Sequence, residues 1–188
     1  MKCARALWAE KCHAWDCGRL VFIDESGAKT NMTRRRGRAA RGCRVYDATP
    51  HGHWCVRTMI SSMRADGMTA CMSVDSATDH DVFTIYVREV LLPTLRPGDI
   101  VVLDNLPAHK HADATQLIGQ AGATVEYLPP YSPDLNPIEK MWSKIKEFLR
   151  AAKARTSRAL NEAITAAFLT ISAADALSWF ASCGYSIS

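Results

Sequence analysis

The chain has 188 residues, of which 48% are hydrophobic and 22% charged, with a formal net charge of +4 and seven cysteines. That size and balance describe one globular domain with a sizeable core and exclude a disordered chain. No apolar run nears the ~20 residues of a membrane span, no apolar signal stretch opens the chain, and the odd cysteine count holds no CxxC pair, so a cytoplasmic protein with reduced thiols and no membrane partner is expected. Residues 1–17 read as an N-terminal extension with a short helix over Ala4 to Trp15, followed by a main domain over 18–182 and a tail over 183–188.

The first strong signal is LVFIDESG, a continuous apolar run ending in acids and glycine, which predicts a buried strand closing in a turn. TNMTRRRGRAARG after it has no period and reads as a loop. Trp54 to Met63 and Gly67 to Val74 are β-branched and alternating, a strand pair joined at Arg64-Ala65-Asp66-Gly67. From Asp79 to Leu95 the period turns helical, with Val82, Ile85, Tyr86, Glu89, Val90 and Leu92 as the stripe and Pro93 as the break. IVVL before Asp104 predicts a central strand covered on both faces. A helix is expected from His109 to Gly122 and a strand from Thr124 to Leu128. The proline-rich stretch from Pro129 to Pro137 excludes helix and inner strand. Asn136 then caps a helix with Pro137 in its first position and Ile138, Met141, Trp142, Ile145, Phe148 and Leu149 on one face. Helices near Ser157 to Thr170 and Ala174 to Phe180 close the chain. Antiparallel strands followed by β-α-β alternation imply an α/β fold with a mixed sheet and helices on its faces.

Charge is concentrated. Lys29 to Arg44 holds seven basic residues and no acid, and Lys140 to Arg158 holds seven against Glu147 alone. Two such segments point to a polyanionic partner. Arg34, Arg35, Arg36 and Arg38 are expected to contact phosphate, and Lys140 and Lys144, four apart on one helix, to flank a bound strand. Three carboxylates fall at site-forming positions: Asp24 and Asp104 end apolar strands, and Glu139 lies in the first turn of a helix. Gathered carboxylates repel one another and favour divalent cations, and two such ions suit displacement at phosphorus. Glu25 points to the opposite face of its strand from Asp24. Asn105, beside Asp104, is placed to orient its carboxylate or brace the turn, and His109, five residues on, either approaches the phosphate or a metal-bound water or simply starts a helix. The sets His51, His53, Cys55 and Cys12, His13, Cys17 lack the paired second half of a zinc site.

The strings VFIDES, TRRRGRAARG, VVLDNLPAHK and LPPYSPDLNPIEKMWSKIK resemble the catalytic domain of bacterial insertion-sequence transposases of the mariner-like superfamily, the IS-six-thirty group. The resemblance runs from about Arg19 to Phe180, and 34 residues separate Asp104 from Glu139, as in that superfamily. It implies a ribonuclease H-like five-stranded mixed sheet with helices on both faces. It implies a DDE triad of Asp24, Asp104 and Glu139 holding two Mg²⁺ or Mn²⁺ ions. It also implies cleavage of double-stranded DNA at transposon ends and strand transfer into target DNA, TA dinucleotides being the expected target, by a homodimer on DNA in the bacterial nucleoid. Relatives carry an N-terminal helix-turn-helix region, and 23 residues before Asp24 leave no room for one, so a separate helix-turn-helix polypeptide is a further expected partner. Two other readings remain at this stage: a catalytically silent DNA-binding or dimerisation remnant, and a stand-alone ribonuclease H-like nuclease.

Overall fold

The structure is a computed structural model and describes residues 2–105, 109 and 112–185. Five strands form one sheet: β1 (Leu20–Lys29), β2 (Val56–Arg64), β3 (Gly67–Val74), β4 (Ile100–Leu103) and β5 (Thr124–Tyr127), in the order β3-β2-β1-β4-β5. β1, β2 and β3 pair antiparallel, while β4 and β5 run parallel to β1. This is the mixed sheet expected from the order of elements.

Strand parity sorts the core into two layers. Leu20 and Phe22 of β1, Met59 and Met63 of β2 and Val102 of β4 face one way. Val21, Ile23, Ile60, Val101 and Leu103 face the other. Both faces are covered, so β1 and β4 read as continuous apolar runs rather than alternating ones. The first layer is closed by α4 (Ile138–Ala152), α5 (Ser157–Phe168) and α6 (Ala173–Ser182), through Met141, Trp142, Ile145, Leu160, Ile164 and Phe180. Burying each such side chain stabilises the fold by about 1.5–3 kcal/mol. α5 is capped by Thr156, whose hydroxyl accepts from the Ala159 amide, and α6 by a reciprocal Ser172–Asp175 capping box. The second layer is closed by α2 (His80–Ile85) and α3 (Ala112–Gln120). The first part of the helix expected from His109 includes residues 110 and 111, outside the described residues.

Four expectations differ from the structure. The first strand does not close in a turn after Asp24: β1 runs on through Gly27 to Lys29, paired with β2, so Asp24 lies within it and only the ladder to β4 stops before it. The helix from Asp79 is not uniform: α2 passes into a wider π turn over Tyr86–Leu91 and a tight turn over Leu92–Thr94. The buried set is Phe83, Thr84, Tyr86, Val87 and Leu91, and Ile85 and Glu89 of the expected stripe are exposed. Phe83, Val87 and Leu91 are four apart, a longer period than 3.6, and the widened turn keeps them over the sheet. Next, Asn136 does not cap α4 through its side chain. Pro137 occupies the cap position, and the Asn136 carbonyl accepts from the Glu139 amide.

Finally, residues 1–17 and the tail are not separate from the domain. α1 (Lys2–Ala14) seats Trp8 in the same core as Cys17, Cys183 and Tyr185. Trp8 Nε1 donates to the Tyr185 hydroxyl, which donates to the Leu135 carbonyl at 2.7 Å. Residues 186–188 of the expected tail lie outside the described residues.

At the end of the sheet where β2 finishes and β4 begins, Arg64 and Asp99 form a bidentate pair, 1% and 0% exposed. The Arg96 amide and the Thr94 carbonyl complete it. The Asp99 carboxyl loses hydration, which pushes its pKa up, but the Arg64 and Arg96 hydrogen bonds outweigh that and hold it below the ordinary value. Among the described residues no single helix is long and apolar enough to cross a membrane.

Candidate active site

The parallel ladder between β1 and β4 ends at Phe22 and Val102. Two residues further along each chain stand Asp24 and Asp104, and the parity that puts Phe22 under α4 puts Asp24 on the same side. Glu139 enters from the first turn of α4. These three carboxylates line one cavity of about 420 Å³ with Asn105, Asn136 and the stretch from Leu128 to Pro133.

Asp24 is 9% exposed and its Oδ1 accepts from the Glu25 amide at 2.8 Å. Burial, then the charge of Glu139, with smaller contributions from Glu25 and Asp104, push its pKa up to about 8 against that hydrogen bond.

His109, 1% exposed, joins the two faces of the sheet. Its Nδ1 lies 2.7 Å from Asp104 Oδ1 and its Nε2 2.7 Å from Glu25 Oε1, and its ring packs on Phe83 at 4.4 Å. Burial lowers the imidazole pKa, but the bonds to Asp104 and Glu25 outweigh it and carry the value up to about 9. At neutral pH the ring is an imidazolium donating to both carboxylates. The Tyr127 hydroxyl donates to the His109 carbonyl at 3.1 Å, and Asn105 Nδ2 donates to the Leu128 carbonyl at 2.5 Å, tying the end of β4 to the exit of β5.

Among the described residues no three His, Cys, Asp or Glu side chains are arranged around one ion. The donor chemistry nevertheless suits a hard divalent cation: three carboxylates share the cavity, and their mutual repulsion is what a cation relieves. Asn136, only 4% exposed, lines the same cavity, and its Oδ1 has no donor among the described residues. Such an oxygen is a further hard donor.

The basic residues divide. Arg34, Arg35, Arg36 and Arg38 are exposed on the irregular segment between β1 and β2. Arg35 shares a depression with Lys29, Lys146 and Arg150. Burial, followed by the like charge of Arg35, lowers the Arg150 pKa. Lys140 and Lys144 are held instead by α6: Lys140 donates to the Ser182 hydroxyl, and Lys144 to Asp175 at 2.6 Å and the Thr170 carbonyl at 2.8 Å.

Sequence reasoning left Glu25 without a role, since it points away from Asp24. Its partner arrives from 84 residues later, which no local pattern signals. The sequence signals Asn136 only as a cap, and its burial beside the carboxylates depends on how α4 meets β1.

A family model described as DDE superfamily endonuclease matches residues 19–161. The transposable element Tcb2 transposase of Caenorhabditis briggsae is 26% identical over 167 residues, covering 80% of this chain and 60% of that protein. Among solved structures, the Mos1 transposase paired-end complex with left transposon end superposes with a TM-score of 0.77 at 14% identity, over 96% of this chain and 56% of that one. The Mos1 transposase catalytic domain with Raltegravir and Mg gives 0.71 at 12% identity, over 97% and 87%. The chain thus spans about 60% of the curated relative, and its sheet and helices are those of the Mos1 catalytic domain, the ribonuclease H-like fold. With the model matching most of its length around Asp24, Asp104 and Glu139, the chain belongs to the DDE superfamily endonuclease family.

Proposed function

We propose that this chain is the catalytic domain of a mariner/Tc1-type transposase of insertion-sequence origin, cutting DNA at transposon ends and joining the freed ends to target DNA. The observation that carries this reading is the shared cavity of Asp24, Asp104 and Glu139, just past the point where the parallel β1–β4 ladder stops and an open α/β sheet forms its sites.

Asp24, Asp104 and Glu139 would hold two Mg²⁺ or Mn²⁺ ions, with Asn136 Oδ1 as a further oxygen donor. Held by these residues, such cations would supply the charge that activates an attacking oxygen and offsets charge developing at phosphorus. The chain's own groups prepare that site. His109 holds Asp104 in one orientation, and Glu25 fixes the far side of the ring. Asn105 locks the strand end behind Asp104. The proline-rich wall gives the cavity a rigid side. Arg34, Arg35, Arg36 and Arg38 contact phosphates of the duplex. The strand-flanking role expected for Lys140 and Lys144 passes to Lys146 and Arg150, because the former two ammonium groups are engaged by α6. Joining two ends requires two copies, so a homodimer on double-stranded DNA belongs to the proposal, with end recognition supplied by a helix-turn-helix region outside residues 18–182.

The test is nicking of supercoiled plasmid by the wild type with Mg²⁺ or Mn²⁺, beside Asp104→Ala and Glu139→Ala. Cutting by the wild type and by neither variant is the expected result. Cutting that persists in both variants sinks the triad. Binding without cutting in either metal assigns the chain instead as a silent remnant.

A further inference from the structure

The side chain at the cavity mouth that the chemistry above leaves without work is Tyr131. It is 87% exposed, the most exposed of the large apolar side chains among the described residues, and it lines the cavity shared by Asp24, Asp104 and Glu139. Its φ is +55°, a left-handed backbone that an aromatic residue rarely adopts. Among the described residues one other non-glycine shares this feature, Lys153, and it ends a helix, its amide donating to the Leu149 carbonyl. Tyr131 ends no helix.

The chain on either side is pinned. The Leu128 amide donates to the Leu103 carbonyl at 2.9 Å. Ser132 is buried, its hydroxyl accepting from Arg5 at 2.9 Å, and Arg5 also clasps Asp134. The Leu135 carbonyl accepts from Tyr185. Pro129, Pro130 and Pro133 restrict what remains. A strained aromatic held out on a rigid mount is the arrangement of a ligand platform, since strain of this kind persists where surrounding structure over-determines it.

The ligand follows from the chemistry of the surface. Tyr131 has no cationic charge to offer a phosphate, but it has an apolar π face. A base inside a duplex offers only its edges, whereas an unpaired base offers its face. We infer that Tyr131 stacks on an unpaired nucleobase next to the phosphate seated at the carboxylates. This subsite rests on the DNA-processing reading above and adds to it the local structure of the substrate: a splayed nucleotide beside the reacting bond.

The test uses a forked duplex with one unpaired 2-aminopurine at the junction, and its fully paired counterpart, in Ca²⁺ with the full chain. Wild type and Tyr131→Phe are expected to quench the 2-aminopurine and to prefer the fork. Tyr131→Ala should bind the fork on the order of tenfold more weakly, leave the fluorophore bright and bind the paired duplex as before. Tyr131→Gly, which suits the left-handed backbone, should resist denaturant better than wild type yet bind like the alanine variant, separating folding from recognition. Equal affinity and equal quenching in wild type and Tyr131→Ala overturn the subsite while leaving the transposase reading intact. A change of oligomeric state in Tyr131→Ala without a change in quenching assigns the side chain to a protein contact and also overturns it. Failure of the wild type to bind either DNA overturns both.

Discussion

Asp99 and Asp24 are buried carboxylates at opposite ends of the same sheet, and their surroundings treat them in opposite ways. Asp99 receives both arms of Arg64 and the Arg96 amide, and its charge is favoured. Asp24 receives one amide and faces Glu139, Glu25 and Asp104, and its charge is opposed. The first is a lock: the carboxylate is answered from within the chain, with Arg64 Nε alone in the pair lacking an acceptor among the described residues, so no cation from outside is needed. The second is an open account of negative charge, which only a cation or a proton can settle. A fold can carry the second because the first and the two core layers supply the stability that it forgoes.

The largest expected effect comes from breaking the lock. Arg64→Ala leaves Asp99 charged and buried, and should cost about 3–5 kcal/mol in urea unfolding. Arg64→Met with Asp99→Leu should recover most of that. A single-variant loss under about 1 kcal/mol would show that the pair is idle.

Asp24→Asn should act the other way. A carboxyl whose folded pKa lies near 8 binds a proton that the unfolded chain releases near 3.8. Its contribution is complete below the lower value and is lost as pH rises through the upper one. Without metal, the variant should therefore gain on the order of 2 kcal/mol over wild type at pH 8 and almost nothing at pH 4. The same substitution should abolish cleavage and the thermal stabilisation that Mg²⁺ gives the wild type. A destabilised Asp24→Asn at pH 8 contradicts the electrostatic account.

His109→Gln should cost about 1–2 kcal/mol at pH 6 by releasing the two carboxylates. The imidazole pKa rises on folding to about 9, so its stabilisation is complete below about 6.5 and fades through 9. Denaturation midpoints of variant and wild type should converge by pH 10. A gap that does not narrow would mean that the ring acts by packing on Phe83 alone.

The smallest effects separate two faces of α4. Lys144→Ala should lower stability by under about 1 kcal/mol, because its pair with Asp175 is partly exposed, and leave DNA binding unchanged. Arg150→Ala should leave stability unchanged and reduce the salt dependence of DNA affinity by about one ion. The reverse outcome would place DNA on the α6 side.

By itself the sequence determined the strand order signals, the apolar faces of α4 and α5, and the positions of Asp24, Asp104 and Glu139. Each of these is written in local periodicity or in a short motif, because burial and backbone pairing act on neighbours in the chain. Only the tertiary structure decided that α1 and Tyr185 belong to the core, that Glu25 reaches His109, that Lys144 is engaged while Arg150 is not, and that Asn136 faces the cavity instead of capping a helix. Those contacts join residues tens to more than a hundred positions apart, as with Trp8 and Tyr185, 177 residues from each other. Their energies depend on which surfaces meet, and no local pattern carries that information. The widened turn at Tyr86–Leu91 lies between the two cases: its four-residue spacing is visible in the chain, but only packing against the sheet made the backbone follow it.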